Sequence, residues 1–265
     1  MRTHLELRDR SLVDVLDLAL RFMRQYPKKY ATLSAAVILP WFAICCVIGV
    51  GIDWVLAWVV AIIAGTFAQA PFTLLASRLV FEDKVPLSSV MSDGLRAIPK
   101  MLGVRIVQTL LVTVGLLGVV VASIWVGSVV MYAPEAALLE RMTPGASISR
   151  ANRLVGGSSG DGLLAFVLLL MLEVGFVLIG EYAGRSLLVD LLQINPPESM
   201  WDAGGSWLAM AGFWIFVPYR ATARFLAYIN LRTRAEGWDV QTSFFALAAR
   251  AKDDEDPAPI SRRAA

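Results

Sequence analysis

The chain has 265 residues, 57% of them hydrophobic and 17% charged, with a mean hydropathy of +0.63. Soluble domains run at roughly 45–50% apolar and about 25% charged, so this composition excludes an ordinary soluble globule. The net charge of +2 is nearly balanced, no nucleic-acid partner is expected, and the solvent to be reckoned with is a lipid bilayer.

Apolar runs of about twenty residues recur, each long enough to cross roughly 30 Å of hydrocarbon. A β-barrel would instead show short alternating segments. The expected fold is all-α: a polytopic transmembrane helix bundle of about six spans with amphipathic interfacial helices. Residues 1–29 should form a cytoplasmic amphipathic N-terminal unit, 30–240 the membrane domain, and 241–265 a cytoplasmic, largely disordered tail that is polar and Pro-containing.

In chain order, the first thirty residues are charged throughout and lack an apolar core, so no cleaved leader is expected. Ser11 can cap a helix over about 11–26, with Asp14 three residues on. Asp14, Asp17, Arg21 and Arg24 make its polar stripe, while Leu12, Val13, Leu16, Leu20 and Met23 face elsewhere. Such a helix either lies in the membrane interface or packs against the cytoplasmic ends of the spans. Pro27 should end it. Span 1 is read over 30–51 with a kink at Pro40, and span 2 over 54–77 after a tight turn at Asp53. Residues 78–102, punctuated by Pro86 and Pro99, read as interfacial. The run 103–139 is one overlong helix or two short ones turning near Gly118. A polar segment over 140–161 contains a helix over 147–155 stopped by Gly156 and Gly157. A span over 163–183 follows, then a short amphipathic helix stopped by Asn195-Pro196-Pro197. The last span is read over 205–228, leaving the bilayer through Arg220, Arg224, Arg232 and Arg234, which read as the cytoplasmic end of a helix or as a site for anionic lipid headgroups.

Charge decides between five and six spans. With two helices in 103–139, six spans place 23 of the 24 Lys and Arg on one side, which the positive-inside rule makes cytoplasmic, together with both termini. With one helix there, 11 of the 24 would face outward. A re-entrant pair over 103–139 satisfies the charges equally well.

Glu173 stands in the middle of an apolar span. An ionisable group there costs at least about 2–3 kcal/mol on insertion scales, so it faces the protein interior or water. It reads as a proton or cation site, or as a hydrogen-bonded tie between helices. Gln69 can bridge helices, and Arg105 and Gln108 read as interface anchors. Small residues are frequent, yet no single small-xxx-small pair stands out. Cys45 and Cys46 are adjacent in an apolar run and read as buried thiols rather than a disulfide framework. His4 is the only histidine, which leaves no His-based metal or acid–base site. The glycine-rich stretch 156–162 lacks the Lys-Ser/Thr of a phosphate-binding loop and reads as a loop into the next span.

Three segments carry a resemblance. They are SLVDVLDLALRFMR near the N-terminus, APEAALLERMTPGASISRANRLVGG with Pro134, Glu140, Ser149, Arg150 and Leu154, and YINLRTRAEGWDVQ near the end. Together they resemble bacterial multi-spanning proteins related to the membrane domain of glycerophosphoryl diester phosphodiesterases. Arg232, Arg234, Glu236, Gly237 and Asp239 match that family's Arg-x-Arg-x-Glu-Gly-x-Asp ending, but Asn230 stands where an acid is expected. The resemblance implies a six-span bundle in the cytoplasmic membrane. It implies no phosphodiesterase activity, which belongs to a separate soluble domain.

The alternating charges of that ending suggest a salt-bridged knot, in which Glu140 or Glu236 pairs with Arg150, Arg153, Arg232 or Arg234. The function expected from sequence is a non-catalytic, cofactor-free integral protein of the bacterial cytoplasmic membrane. It would act as a scaffold or accessory subunit of an envelope complex, bound to another membrane protein or to its own copies. The alternative is a small transporter or channel using Glu173. An intramembrane enzyme would need two convergent ionisable groups at one depth, and the sequence singles out one.

Overall fold

The structure is a computed structural model that describes residues 11–82, 85–118, 120–157, 159–196 and 198–236. The elements are α1 (Leu12–Gln25), α2 (Pro27–Gly51), α3 (Trp54–Phe81), α4 (Leu87–Gly118), α5 (Val120–Val130), α6 (Ala133–Leu139), α7 (Pro144–Gly156), α8 (Ser159–Ser186), α9 (Met200–Ala203) and α10 (Trp207–Glu236), with a π-helical turn at Leu187–Leu191. The described residues form an all-α bundle without strands. Five stretches are long and apolar enough to cross a membrane: Pro27–Gly51, Trp54–Phe81, Leu87–Leu116, Ala122–Leu139 and Ser159–Leu191. This is a multi-pass membrane protein. A sixth long stretch, α10, has 30 residues and stands outside those five because its arginines dilute the apolar run. It is nevertheless the axis of the bundle, packed against α8, α3, α1 and α2.

Local chemistry explains most boundaries. Ser11 caps α1, its hydroxyl oxygen accepting the Asp14 amide at 3.2 Å, and Asp53 caps α3 by accepting from the amides of Val55 and Leu56 at 2.7 and 3.1 Å. Both satisfy orphan amides of a first turn. Pro27 does more than end α1: it occupies the first turn of α2, where its missing N–H is harmless. On α1 the buried residues are Val15, Ala19 and Phe22, packed on α10, and the Tyr219 hydroxyl donates to the Leu16 carbonyl at 3.1 Å. The packing reading therefore accounts for that face, while Val13 and Leu20 remain exposed.

The structure corrects three boundaries. Residues 87–102 are not a separate interfacial segment, because α4 runs unbroken from Leu87 through Pro99 to Gly118. Here Gly94 lies against Pro71 of α3, and Gly103 against Pro144, so both glycines are packing surfaces within the helix. The run 103–139 divides into α4, ending at Gly118, and α5, beginning at Val120, which pack on each other as the two-helix reading expects, but its second limb breaks again at Met131–Tyr132 between α5 and α6. The glycine-rich stretch is less of a loop than expected, since α8 begins at Ser159 and takes in Gly160 and Asp161.

A small-residue contact missed in the sequence sets the closest approach. A Cβ on Gly212 would lie 2.1 Å from the Phe176 carbonyl oxygen, and one on Gly180 would lie 2.6 Å from that of Leu208. Gly184, four residues after Gly180, meets the Leu208 side chain. Gly180-xxx-Gly184 is thus the α8 half of a glycine crossing with α10. Cys45 and Cys46 are free, the first buried and the second half-buried.

Candidate functional site

Near the middle of the long helices the bundle interior is charged. Arg224 of α10 is only 3% exposed. Its Nη1 donates to Gln69 Oε1 of α3 at 2.9 Å, and its Nη2 donates to Glu135 Oε2 of α6 at 2.7 Å and to the Met131 carbonyl. Glu135 is itself 2% exposed. One turn before Arg224, Arg220 Nη1 donates to both oxygens of Glu173 on α8, at 2.6 and 2.5 Å. On α4, Arg105 Nη1 donates to Gln108 Oε1 at 3.0 Å and its Nη2 to the Thr66 carbonyl at 3.5 Å. Gln108 Nε2 in turn donates a hydrogen bond to the Val130 carbonyl. The break between α5 and α6 matters here: the carbonyls of Val130 and Met131 both accept from side chains of other helices.

A cavity of about 310 Å³ adjoins these groups, bordered by Arg105, Arg220 and Arg224 together with Gln108 and Thr66. Three guanidinium groups face two carboxylates. Arg105 has no carboxylate within ion-pair distance among the described residues, and the buried Nε atoms of Arg105, Arg220 and Arg224 have no hydrogen-bond partner. Arginine does not deprotonate in proteins, so the excess positive charge is permanent. An uncompensated charge out of water costs several kcal/mol, and the guanidinium fork matches carboxylate and phosphate oxygens. The arrangement is therefore suited to hold an anion. Among the described residues no group of three or more His, Cys, Asp or Glu is placed to hold a metal ion.

Of the residues singled out from sequence, Glu173, Gln69 and Gln108 all belong to this cluster, although Gln108 and Arg105 are interior groups and not interface anchors. Arg220 and Arg224 are likewise not the cytoplasmic end of a helix; they are the core of the cluster. Glu173 is not alone either, since Glu135 is a second deep carboxylate. The signals were present: Arg220 and Arg224 stand four apart, on one face of an apolar helix, and Glu135 interrupts an apolar run.

The second expected cluster is partly assembled. Glu140 pairs with Arg150 at 3.1 Å and with Arg232 at 3.6 Å, and it accepts from the Tyr228 hydroxyl. This knot ties α10 to α7 as anticipated. Arg234 instead pairs with Asp161 at 2.5 Å, and Arg153 is exposed and outside the knot. Gly237, Asp239 and the side chain of Glu236 lie outside the described residues. At the opposite end of the bundle, Glu181 gathers Arg185 at 3.1 Å, the Met200 amide at 3.1 Å and the Ser206 hydroxyl, which closes the 187–206 connection onto α8.

No protein-family model matches the chain, and comparison with curated proteins and with solved structures gives no match.

Proposed function

We propose that this chain crosses a bacterial cytoplasmic membrane six times, with α10 as the sixth crossing and both termini cytoplasmic, and that it binds an anionic substrate inside the bundle for transfer across or along the membrane. The single observation behind this reading is the mid-bundle cavity with three arginines against two carboxylates. Ionisable groups at such depth are costly and mark substrate or ion pathways. The distribution of positive charge supports the orientation, and the resemblance to bacterial multi-spanning proteins supports the choice of membrane.

The test is anion uptake into proteoliposomes, with chloride, sulfate, phosphate and small carboxylates supplied in turn. Wild-type protein should pass at least one of them faster than protein-free vesicles do. Glu173→Gln leaves Arg220 without its carboxylate and should tighten binding of that anion by about tenfold, or about 1.4 kcal/mol. Folded protein that neither binds nor passes any anion would sink the reading.

The scaffold reading is the alternative, and one observation favours it. Arg224, Gln69, Glu135 and the Met131 carbonyl form a closed tie among α3, α6 and α10, as a static core would. A stable membrane-protein partner that co-purifies equally with wild type and Glu173→Gln would favour this scaffold role.

A further inference from the structure

We infer that the ligand of this cavity is an anionic, lipid-like amphiphile whose phosphate head sits on Arg105, Arg220 and Arg224 and whose hydrocarbon tail leaves between α4 and α8. The inference rests on reading the cavity as an anion site and adds the kind of anion and its route.

Three observations carry it. The first is size. Water occupies about 30 Å³ per molecule in the liquid, so about 310 Å³ corresponds to about ten waters, more room than one small inorganic anion needs. The second is the lining. Away from the arginines the walls are mostly apolar, with Val112, Phe166, Leu169 and Leu170 beside Thr109 and Thr113, and such a lining solvates a hydrocarbon chain better than a hydrated ion. The third is the opening. Leu170 and Thr113 border the cavity and are both exposed on the bundle surface. Leu170 stands near the middle of α8, so the opening lies at the depth of lipid chains. The helices α4 and α8 each pack on α5. A lipid reaches such an opening directly from the bilayer.

The chemistry shared by the possible sources is a phosphate group, carried by a lipid or free in water, and the experiment separates them. Purified protein is placed in nanodiscs of phosphatidylcholine containing a minor fraction of phosphatidic acid. After release, retained lipid is measured by native mass spectrometry. In parallel, melting is followed with and without inorganic phosphate. Four variants are compared with wild type, each checked for helicity by circular dichroism. Arg105→Gln removes the unpaired cation, Arg105→Lys restores charge without the fork, Leu170→Trp fills the lateral wall, and Arg96→Gln controls for surface charge.

The expected result is one phosphatidic acid retained by wild type and by Arg96→Gln. Retention should fall at least about tenfold (~1.4 kcal/mol) in Arg105→Gln and recover in part in Arg105→Lys. Leu170→Trp should lose the lipid while its arginines stay intact. If inorganic phosphate raises the melting temperature of wild type but not of Arg105→Gln, while lipid retention is equal in the two, the lipid inference is overturned and the anion-site reading stands. If neither lipid nor phosphate distinguishes Arg105→Gln from wild type, both are overturned and the arginines are structural.

Discussion

Arg224 shows how a guanidinium can be accommodated away from water. Its two terminal nitrogens are shared among a carboxylate, an amide and a backbone carbonyl drawn from separate elements. Removing one partner of a buried pair leaves the other charge uncompensated, at about 3–5 kcal/mol. Glu135→Gln should therefore lower stability by about 3 kcal/mol in a detergent-unfolding experiment, and Glu135→Gln combined with Arg224→Gln should recover part of that loss. A double variant no better than Glu135→Gln alone would show that the pair is not the source of the cost. At this scale the sequence was half legible. Glu173, Gln69 and Gln108 were visible as polar residues inside apolar runs. Glu135 interrupts such a run too but was passed over, because Pro134-Glu135 resembles the polar close of a span, and the break at Met131–Tyr132 that turns Glu135 inward is a tertiary outcome. Arg220 and Arg224 were misread for a related reason. A cytoplasmic helix end and an intrahelical cation look alike until the neighbouring helices supply acceptors.

Among the elements, the α8–α10 crossing is set by glycine. With the Phe176 carbonyl 2.1 Å from where a Gly212 Cβ would stand, no side chain fits unless the helices separate. Gly212→Val should part them, lower stability by a few kcal/mol in the manner of an overpacked core, about 1–3 kcal/mol, and loosen the Arg220–Glu173 pair that spans the same two helices. Gly175→Val is the matched control, since nothing lies within 4 Å of its Cβ position. Equal melting of the two variants would remove the close-packing argument. The long apolar helices α2, α3 and α8 were readable to within a few residues because length and hydropathy suffice. The extent of α4 was not. Pro99 argued for a boundary, and the helix continues through it with Gly94 and Gly103 fitted against prolines of α3 and α7. Proline is tolerated in such helices where neighbours satisfy the freed backbone groups.

For the molecule as a whole, the proposed topology follows from where the charges fall, and it can be measured directly. In a background carrying Cys45→Ala and Cys46→Ala, Arg96→Cys and Glu198→Cys place thiols on two exposed sites assigned to opposite faces. A membrane-impermeant maleimide should label Glu198→Cys in right-side-out vesicles and Arg96→Cys only in inside-out vesicles. Labelling of both from one side would refute six crossings. The fold class and the hairpin near Gly118 could be argued from composition and charge alone. The placement of α10 at the centre could not, since its arginines look like a reason to sit at the edge of a membrane, and its neighbours are what bring it inside.

That placement bears on how the protein is made. Helix α10 is the long helix least fit to enter a bilayer unaided, and its acceptors Gln69, Met131, Glu135 and Glu173 all precede it in the chain. A ribosome therefore delivers the carboxylates and carbonyls to the membrane before the arginines that need them. The order of synthesis supplies a prepared polar slot for α10, and biogenesis of this bundle is directional: the same helix placed first would meet only lipid.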